Sequence, residues 1–165
     1  MIGGWWAAKI RRFTRHLMGR VSAAERADLA TWLTPAQLAL FDAMQRADQR
    51  HGLDVVAAVR AAGRAEPDLL LAGLLHDCAK GRDLRVWHRI GWSLGEHYGR
   101  RAERSIERLP GFRGAFMTMR THAARSADLA LAAGASPPTA QLIREQAEPT
   151  DQLLGRALLL ADQAN

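Results

Sequence analysis

The chain has 165 residues, the length of one ordinary domain, and its 48% hydrophobic and 24% charged residues exclude a disordered, collagen-like or coiled-coil chain. The formal net charge is +6, but 21 of the 23 basic residues are arginine and 31 residues are alanine. Because this bias weakens basicity as a sign of function and no DNA-binding motif accompanies it, no specific nucleic-acid partner is expected.

The N-terminal segment is basic and amphipathic. Apolar side chains recur at helical spacing among cations, at Trp6, Ile10, Phe13 and Leu17. Such a helix packs on its own domain or in a homodimer, which we favour, or it lies on an anionic membrane surface through residues 5–20. We therefore divide the chain into an amphipathic appendage, 1–33, and a helical domain, 34–165.

The location of the protein is inferred from what the sequence lacks. The longest apolar runs, such as Leu69 to Leu75, are far shorter than a membrane span. The opening residues have no secretory signal pattern, and the single cysteine, Cys78, cannot form an internal disulfide. We expect a cytoplasmic protein in which Cys78 is a small buried apolar residue.

Helix signals follow one another along the rest of the chain. Capping-box patterns at Ser22–Glu25 and Thr34–Gln37 predict two helix starts. A third helix is expected from about residue 48 to 63, and a fourth from Pro67 to Gly81, apolar on every side over 69–75 and therefore buried. Further helices are expected at roughly 83–97, 98–109, 112–121, 122–133, 137–147 and 151–163. No alternating strand pattern is present, so the fold class is all-α, a single-domain bundle of roughly seven to ten helices.

Five polar residues interrupt the apolar faces of these helices. His51 extends the stripe of Val55 and Val59, and His76 and Asp77 follow the leucines of the buried helix. Asp162 follows Leu158 at i+4, and His122 follows Phe116 and Met119. Each residue alone is more often a hydrogen-bonded core residue or a helix cap. Because five such residues occur together, we look for one explanation for all of them. A buried carboxylate needs a cation, a hydrogen-bond network or a metal.

A divalent transition metal would provide that explanation. Imidazole nitrogens and carboxylate oxygens together suit Mn, Fe, Co, Ni or Zn. The sequence therefore predicts a site for one or two such ions.

The same residues resemble a known family. Four parts of the chain are similar to the HD-domain metal-dependent phosphohydrolase superfamily, in its His-Asp-x-x-Lys form. They are His51, the run from Asp68 to Gly81 with His76, Asp77 and Lys80, the pair Thr121-His122, and the run Leu158 to Asp162. The likeness covers about residues 47–163. It implies an all-helical HD-type domain in which His51, His76, Asp77 and Asp162 bind metal. It also implies that His122 helps to hold a second metal or contacts phosphate.

One departure from the family pattern concerns the second metal. Relatives with two metals have another histidine where this chain has Leu142 to Gln146. Glu145 could replace that histidine as an oxygen ligand, although a glutamate in such a position is more often an ordinary surface residue. The expected function is hydrolysis of a nucleotide or other small phosphate ester by a metal-activated water. Asp77, Lys80 and His122 are the expected catalytic residues. The alternative is a catalytically weak or inactive module that binds metal or nucleotide.

Candidate phosphate contacts are Arg82, Arg85, Arg89 and Arg125.

Overall fold

The structure is a computed structural model, and it describes residues 19–165. Every regular element in this range is helical, so the predicted all-α fold class is confirmed. The predicted helix at residues 5–20 lies almost wholly outside the described residues. The nine α-helices of the described range are α1 (Ala23–Trp32), α2 (Pro35–Ala43), α3 (Arg46–Ala61), α4 (Pro67–Leu75), α5 (Val86–Tyr98), α6 (Arg100–Glu107), α7 (Phe112–Ala132), α8 (Pro137–Arg144) and α9 (Leu154–Ala164), with a 3-10 turn at Cys78–Lys80.

Both predicted capping boxes are present. The Ser22 and Thr34 side chains accept hydrogen bonds from the third backbone N–H of α1 and α2. In turn, the side chains of Glu25 and Gln37 accept hydrogen bonds from the backbone N–H of Ser22 and Thr34. Leu29 of α1 is buried in the same core as α3 and α4, and Arg26 pairs with Asp42 of α2. Residues 23–33 therefore share the core of the predicted 34–165 domain.

Helix α4 is the centre of the fold. Leu69, Ala72, Leu74 and Leu75 are fully buried, as the continuous apolar run predicts. Helices α3, α8 and α9 pack around it. At its N-terminal end the Asp68 carboxylate accepts hydrogen bonds from the hydroxyls of Ser136 and Thr139, which joins α4 to α8.

The packing of α3 on α4 depends on a glycine. A Cβ placed on Gly52 would lie 2.5 Å from the backbone oxygen of Leu74, closer than real Cβ contacts occur. Only glycine allows these two helix backbones to approach so closely. This contact sets the distance between the two helices that carry His51 and His76.

Two predicted helix boundaries were wrong. The stretches 112–121 and 122–133 form the single helix α7, because no glycine or proline separates them. Helix α4 ends at Leu75 rather than at Gly81, and the chain continues into the 3-10 turn, where the Lys80 N–H donates to the Asp77 carbonyl. His76 and Asp77 therefore stand at the end of a buried helix.

The remaining observations concern Cys78 and the membrane. Cys78 is buried as predicted, and burial raises the pKa of its thiol to about 11. Among residues 19–165, no helix combines the length and apolar character needed to cross a bilayer.

Candidate metal centre

Three separate parts of the chain bring the predicted ligands together. His51 comes from the first half of α3, His76 and Asp77 from the end of α4, and Asp162 from α9. His51 and Asp162 are 111 positions apart in the chain, yet His51 Nε2 lies 2.8 Å from Asp162 Oδ1. The rings of His51 and His76 meet edge to face with centroids 5.0 Å apart. The four residues therefore surround one point.

The Asp162 carboxylate lies between the two imidazoles. Its Oδ1 is also 3.7 Å from His76 Nε2. Although burial raises the pKa of Asp162, its interactions with His51 and His76 hold that pKa well below its usual range. Asp162 is therefore an anion at neutral pH, as a metal ligand of this type has to be.

The tautomer of His76 is set by a hydrogen bond behind the ring. His76 Nδ1 lies 3.0 Å from the carbonyl oxygen of Gly73, so Nδ1–H donates to that carbonyl. In the neutral ring the Nε2 lone pair then faces Asp77 Oδ2 at 3.5 Å and Asp162 Oδ1 at 3.7 Å. Such a lone pair needs a proton or a metal cation between it and the carboxylates. Burial lowers the pKa of His76, but Asp77 and Asp162 raise it to about 8.

Asp77 is a buried carboxylate that lies beside the Lys80 ammonium and two imidazoles, those of His76 and His122. Only 2% of its side chain is exposed, its Oδ2 pairs with the Lys80 ammonium, and its Oδ1 lies 3.4 Å from His122 Nε2. Burial raises the pKa of Asp77, but His76 and Lys80 lower it well below its usual value. The contact with His122 lacks normal hydrogen-bond geometry, so Oδ1 is a buried acceptor without a hydrogen bond.

His51, His76 and Asp77 could hold a metal ion. Each offers one ligand atom, these atoms lie within 4.8 Å of one another, and all three residues are buried. Asp162 Oδ1 reaches both imidazoles of this group. The donor set of two imidazoles and two carboxylates suits Mn, Fe, Co, Ni or Zn without selecting among them. The free acceptor on Asp77 and the lone pair on His76 are what a bound cation would satisfy.

The other predicted catalytic residues border this group. His122, from the middle of α7, donates from Nδ1 to the Met119 carbonyl over 2.7 Å, which directs Nε2 towards Asp77. Lys80 lies one 3-10 turn after Asp77, and its side chain is 14% exposed. The structure thus brings both residues to the Asp77 carboxylate.

Glu145 does not join this group. Its carboxylate accepts hydrogen bonds from Thr150, through both N–H and hydroxyl, and from Gln141. It therefore stabilises the loop after α8, since its oxygens already have local donors. The described residues show no second set of three metal-binding side chains beside His122.

The four predicted phosphate-binding arginines occupy different positions. Arg89 of α5 pairs with Asp48 of α3 at 2.8 Å. Arg82 and Arg85 are exposed, and the Arg85 guanidinium lies 5.1 Å from the centre of the Trp87 ring. Arg125 lines a cavity next to Lys80.

Sequence reasoning missed two polar residues near the site. Asp48 is 1% exposed and bonded by Arg89 on one oxygen only, while its Oδ1 has no hydrogen-bond partner. Its position three residues before His51 on the same helix was an available signal. Gln146 is buried, and its amide nitrogen donates to the His76 carbonyl over 3.3 Å. No sequence pattern indicates that contact, because it joins residues 70 positions apart.

No family model, curated protein or solved structure matches this chain. The resemblance described above therefore depends on the residues of this chain alone. The described structure adds an all-helical fold and a buried histidine and aspartate group that could hold a metal.

Proposed function

We propose that this protein is a metal-dependent phosphohydrolase of the HD-domain type that acts on a nucleotide or another small phosphate ester. The observation that supports this proposal is the convergence of His51, His76, Asp77 and Asp162 on one buried point. A shared cation offsets the cost of burying the Asp77 carboxylate and of placing the partly exposed Asp162 carboxylate close to it. When bound, a divalent metal lowers the pKa of a coordinated water towards ~7 and polarises a phosphoryl oxygen.

The residues of the chain have separate roles in this proposal. His51, His76, Asp77 and Asp162 hold the ion. The Gly73 carbonyl orients His76, and Lys80 orients Asp77 while leaving two of its three ammonium hydrogens for phosphate oxygens. Because Nδ1–H of His122 donates to the Met119 carbonyl, His122 acts as the acid in its doubly protonated form, in which it passes the second proton from Nε2 to the leaving oxygen.

Metal content and hydrolysis together test this function. The purified protein is dialysed and its Mn, Fe, Co, Ni and Zn content measured, and phosphate release is followed on mono-, di- and polyphosphates. Asp162→Asn removes one ligand charge at a site that is 36% exposed, so this variant is expected to fold. Asp128→Asn is the matched control, because Asp128 is 69% exposed and, within residues 19–165, its ion pair is with Arg144.

We expect stoichiometric metal and turnover in the natural protein and in Asp128→Asn. Asp162→Asn should lose at least about tenfold in metal affinity and in activity. Equal metal content in the two variants would refute the assigned ligand set. Stoichiometric metal without turnover on any substrate would refute the hydrolase and favour the metal- or nucleotide-binding module.

A further inference from the structure

A polar cavity of about 400 Å³ lies beside the candidate metal centre. It is formed by the 3-10 turn, the segment leading into α5, and the first half of α7. Its volume is within the range of small-molecule sites, and it exceeds what a single phosphate group needs. Of the residues that line it, the proposed function assigns a role only to Lys80.

Two contacts connect this cavity with the candidate site. Lys80 lines the cavity and also pairs with Asp77. On α7, Thr118 and Arg125 line the cavity at four residues before and three residues after His122, which places all three on one helix face. A molecule that contacts Asp77 and His122 can therefore extend into the cavity.

The lining of the cavity favours an anion. Lys80 and Arg125 are cations, and Arg125 has no ion-pair partner in the described residues. Asp83 is the only carboxylate among the lining residues. The planar guanidinium of an unpaired arginine is well suited to phosphate oxygens.

His88 adds a directed donor. Its Nδ1 accepts a hydrogen bond from the backbone N–H of Arg85 over 3.2 Å, so the neutral ring carries its proton on Nε2. That Nε2 lies near Gly111, because a Cβ placed on Gly111 would be 3.8 Å from it. Both residues line the cavity. The Nε2–H is therefore available to an acceptor there.

We propose that this cavity binds a second phosphate group of the substrate, so that the preferred substrates are diphosphates, bisphosphates or longer phosphate chains. This inference depends on the proposed function, since it assigns the reacting phosphate to the metal centre and the next phosphate to Lys80, His88 and Arg125. A monophosphate at the metal centre would provide no second phosphate for His88 and Arg125.

Gly114 offers a way to fill the cavity without disturbing the fold. It lines the cavity, and a Cβ placed on it meets no heavy atom within 4 Å. The Cβ of Gly114→Leu therefore enters open space, and we expect the rest of its side chain to fill part of the cavity. Ala124→Leu is the matched control, because Ala124 is exposed on the same helix and is not part of the cavity lining.

The test measures binding of methylenediphosphonate, a non-hydrolysable diphosphate, and of methylphosphonate to the purified full chain by calorimetry. We expect the diphosphonate to bind at least tenfold more tightly than the monophosphonate. Arg125→Gln and Gly114→Leu should each weaken diphosphonate binding at least about fivefold, since a charge-assisted hydrogen bond is removed or the space is filled. The controls Ala124→Leu and Arg144→Gln should stay within twofold of the natural protein.

Each result supports or overturns one of the two proposals. Equal diphosphonate affinity in the cavity variants and the controls would overturn the cavity assignment, even if the protein hydrolyses monophosphates. Loss of diphosphonate binding in the cavity variants only, with no hydrolysis of any phosphate ester, would support the cavity assignment and overturn the proposed function. Thermal melting of every variant separates lost binding from lost folding.

Discussion

Replacing Gly52 with alanine tests the contact that sets the distance between α3 and α4. The new Cβ would lie 2.5 Å from the Leu74 carbonyl oxygen, where ordinary contact starts at 3.4 Å, so the helices must separate locally by up to about 0.9 Å. Overpacking of this kind costs about 1–3 kcal/mol, and alanine returns up to about 1 kcal/mol through its helix propensity. We expect a net loss of about 1–2 kcal/mol in the free energy of unfolding.

The assay is denaturant and thermal unfolding, with metal affinity as a second readout. A loss of this size in a chain of 165 residues corresponds to a fall in Tm of roughly 2–8 °C. Because His51 precedes Gly52 and His76 follows shortly after Leu74, metal affinity should fall as well. Gly114→Ala is the control: its Cβ meets no atom within 4 Å, so its stability should stay equal or rise. If Gly52→Ala is as stable as Gly114→Ala and binds metal equally well, the close approach does not constrain the site.

Three further substitutions test the core and the ion pairs. Arg89→Met leaves the buried Asp48 carboxylate without its cation and should lower the free energy of unfolding by about 3–5 kcal/mol. A second change, Asp48→Asn, should restore a large part of that loss. Equal denaturation midpoints for the single and double variants would contradict this expectation. Leu158→Ala removes a fully buried side chain and should lower the free energy of unfolding, measured in urea, by about 3 kcal/mol. A loss below about 1 kcal/mol would show that neighbouring core side chains move to fill the space left by the leucine. The hydrogen bond from Arg50 lowers the pKa of Glu25 from 4.5 to about 2, so the ionised form stabilises the fold above pH 4.5 and this contribution is lost as the pH falls towards 2. Because the Glu25 side chain is 38% exposed, Glu25→Gln should cost less than about 1 kcal/mol at pH 7 and nothing near pH 2; a difference that does not depend on pH would exclude the ion pair as its source.

The helices were predictable from the sequence where local chemistry determines them. Ser22 and Thr34 begin helices through hydrogen bonds to residues three positions away, and the leucines of α4 are buried because no polar face interrupts them. The end of α4 was not predictable, because His-Asp-Cys-Ala continues the chain without a glycine or proline before Gly81. Tertiary contacts decide it: the Ala79 N–H donates to the Ser126 hydroxyl of α7 over 3.0 Å.

The candidate ligands were predictable for a related reason. His51, His76, Asp77 and Asp162 are polar residues at positions that helical periodicity assigns to the interior. The first three are buried together, and the partly exposed Asp162 reaches His51 and His76. The roles of the arginines were not predictable, because composition cannot distinguish Arg89, which pairs with a buried carboxylate, from exposed Arg82. Glu145 illustrates the same difficulty, since its partner Thr150 lies in a loop whose conformation depends on the packing of α8 and α9.

The contact between His51 and Asp162 joins parts of the chain that are 111 positions apart. Loop closure over such a distance costs entropy that the packing of the intervening helices has to offset, so we expect the ligand set to assemble late in folding, and a fragment that lacks either α3 or α9 cannot contain it. An ion at this point would bind the native state and not the unfolded chain, and it would raise the free energy of unfolding in proportion to the logarithm of its concentration. Amide hydrogen exchange in α9 should then slow together with exchange in α3 when the ion is added.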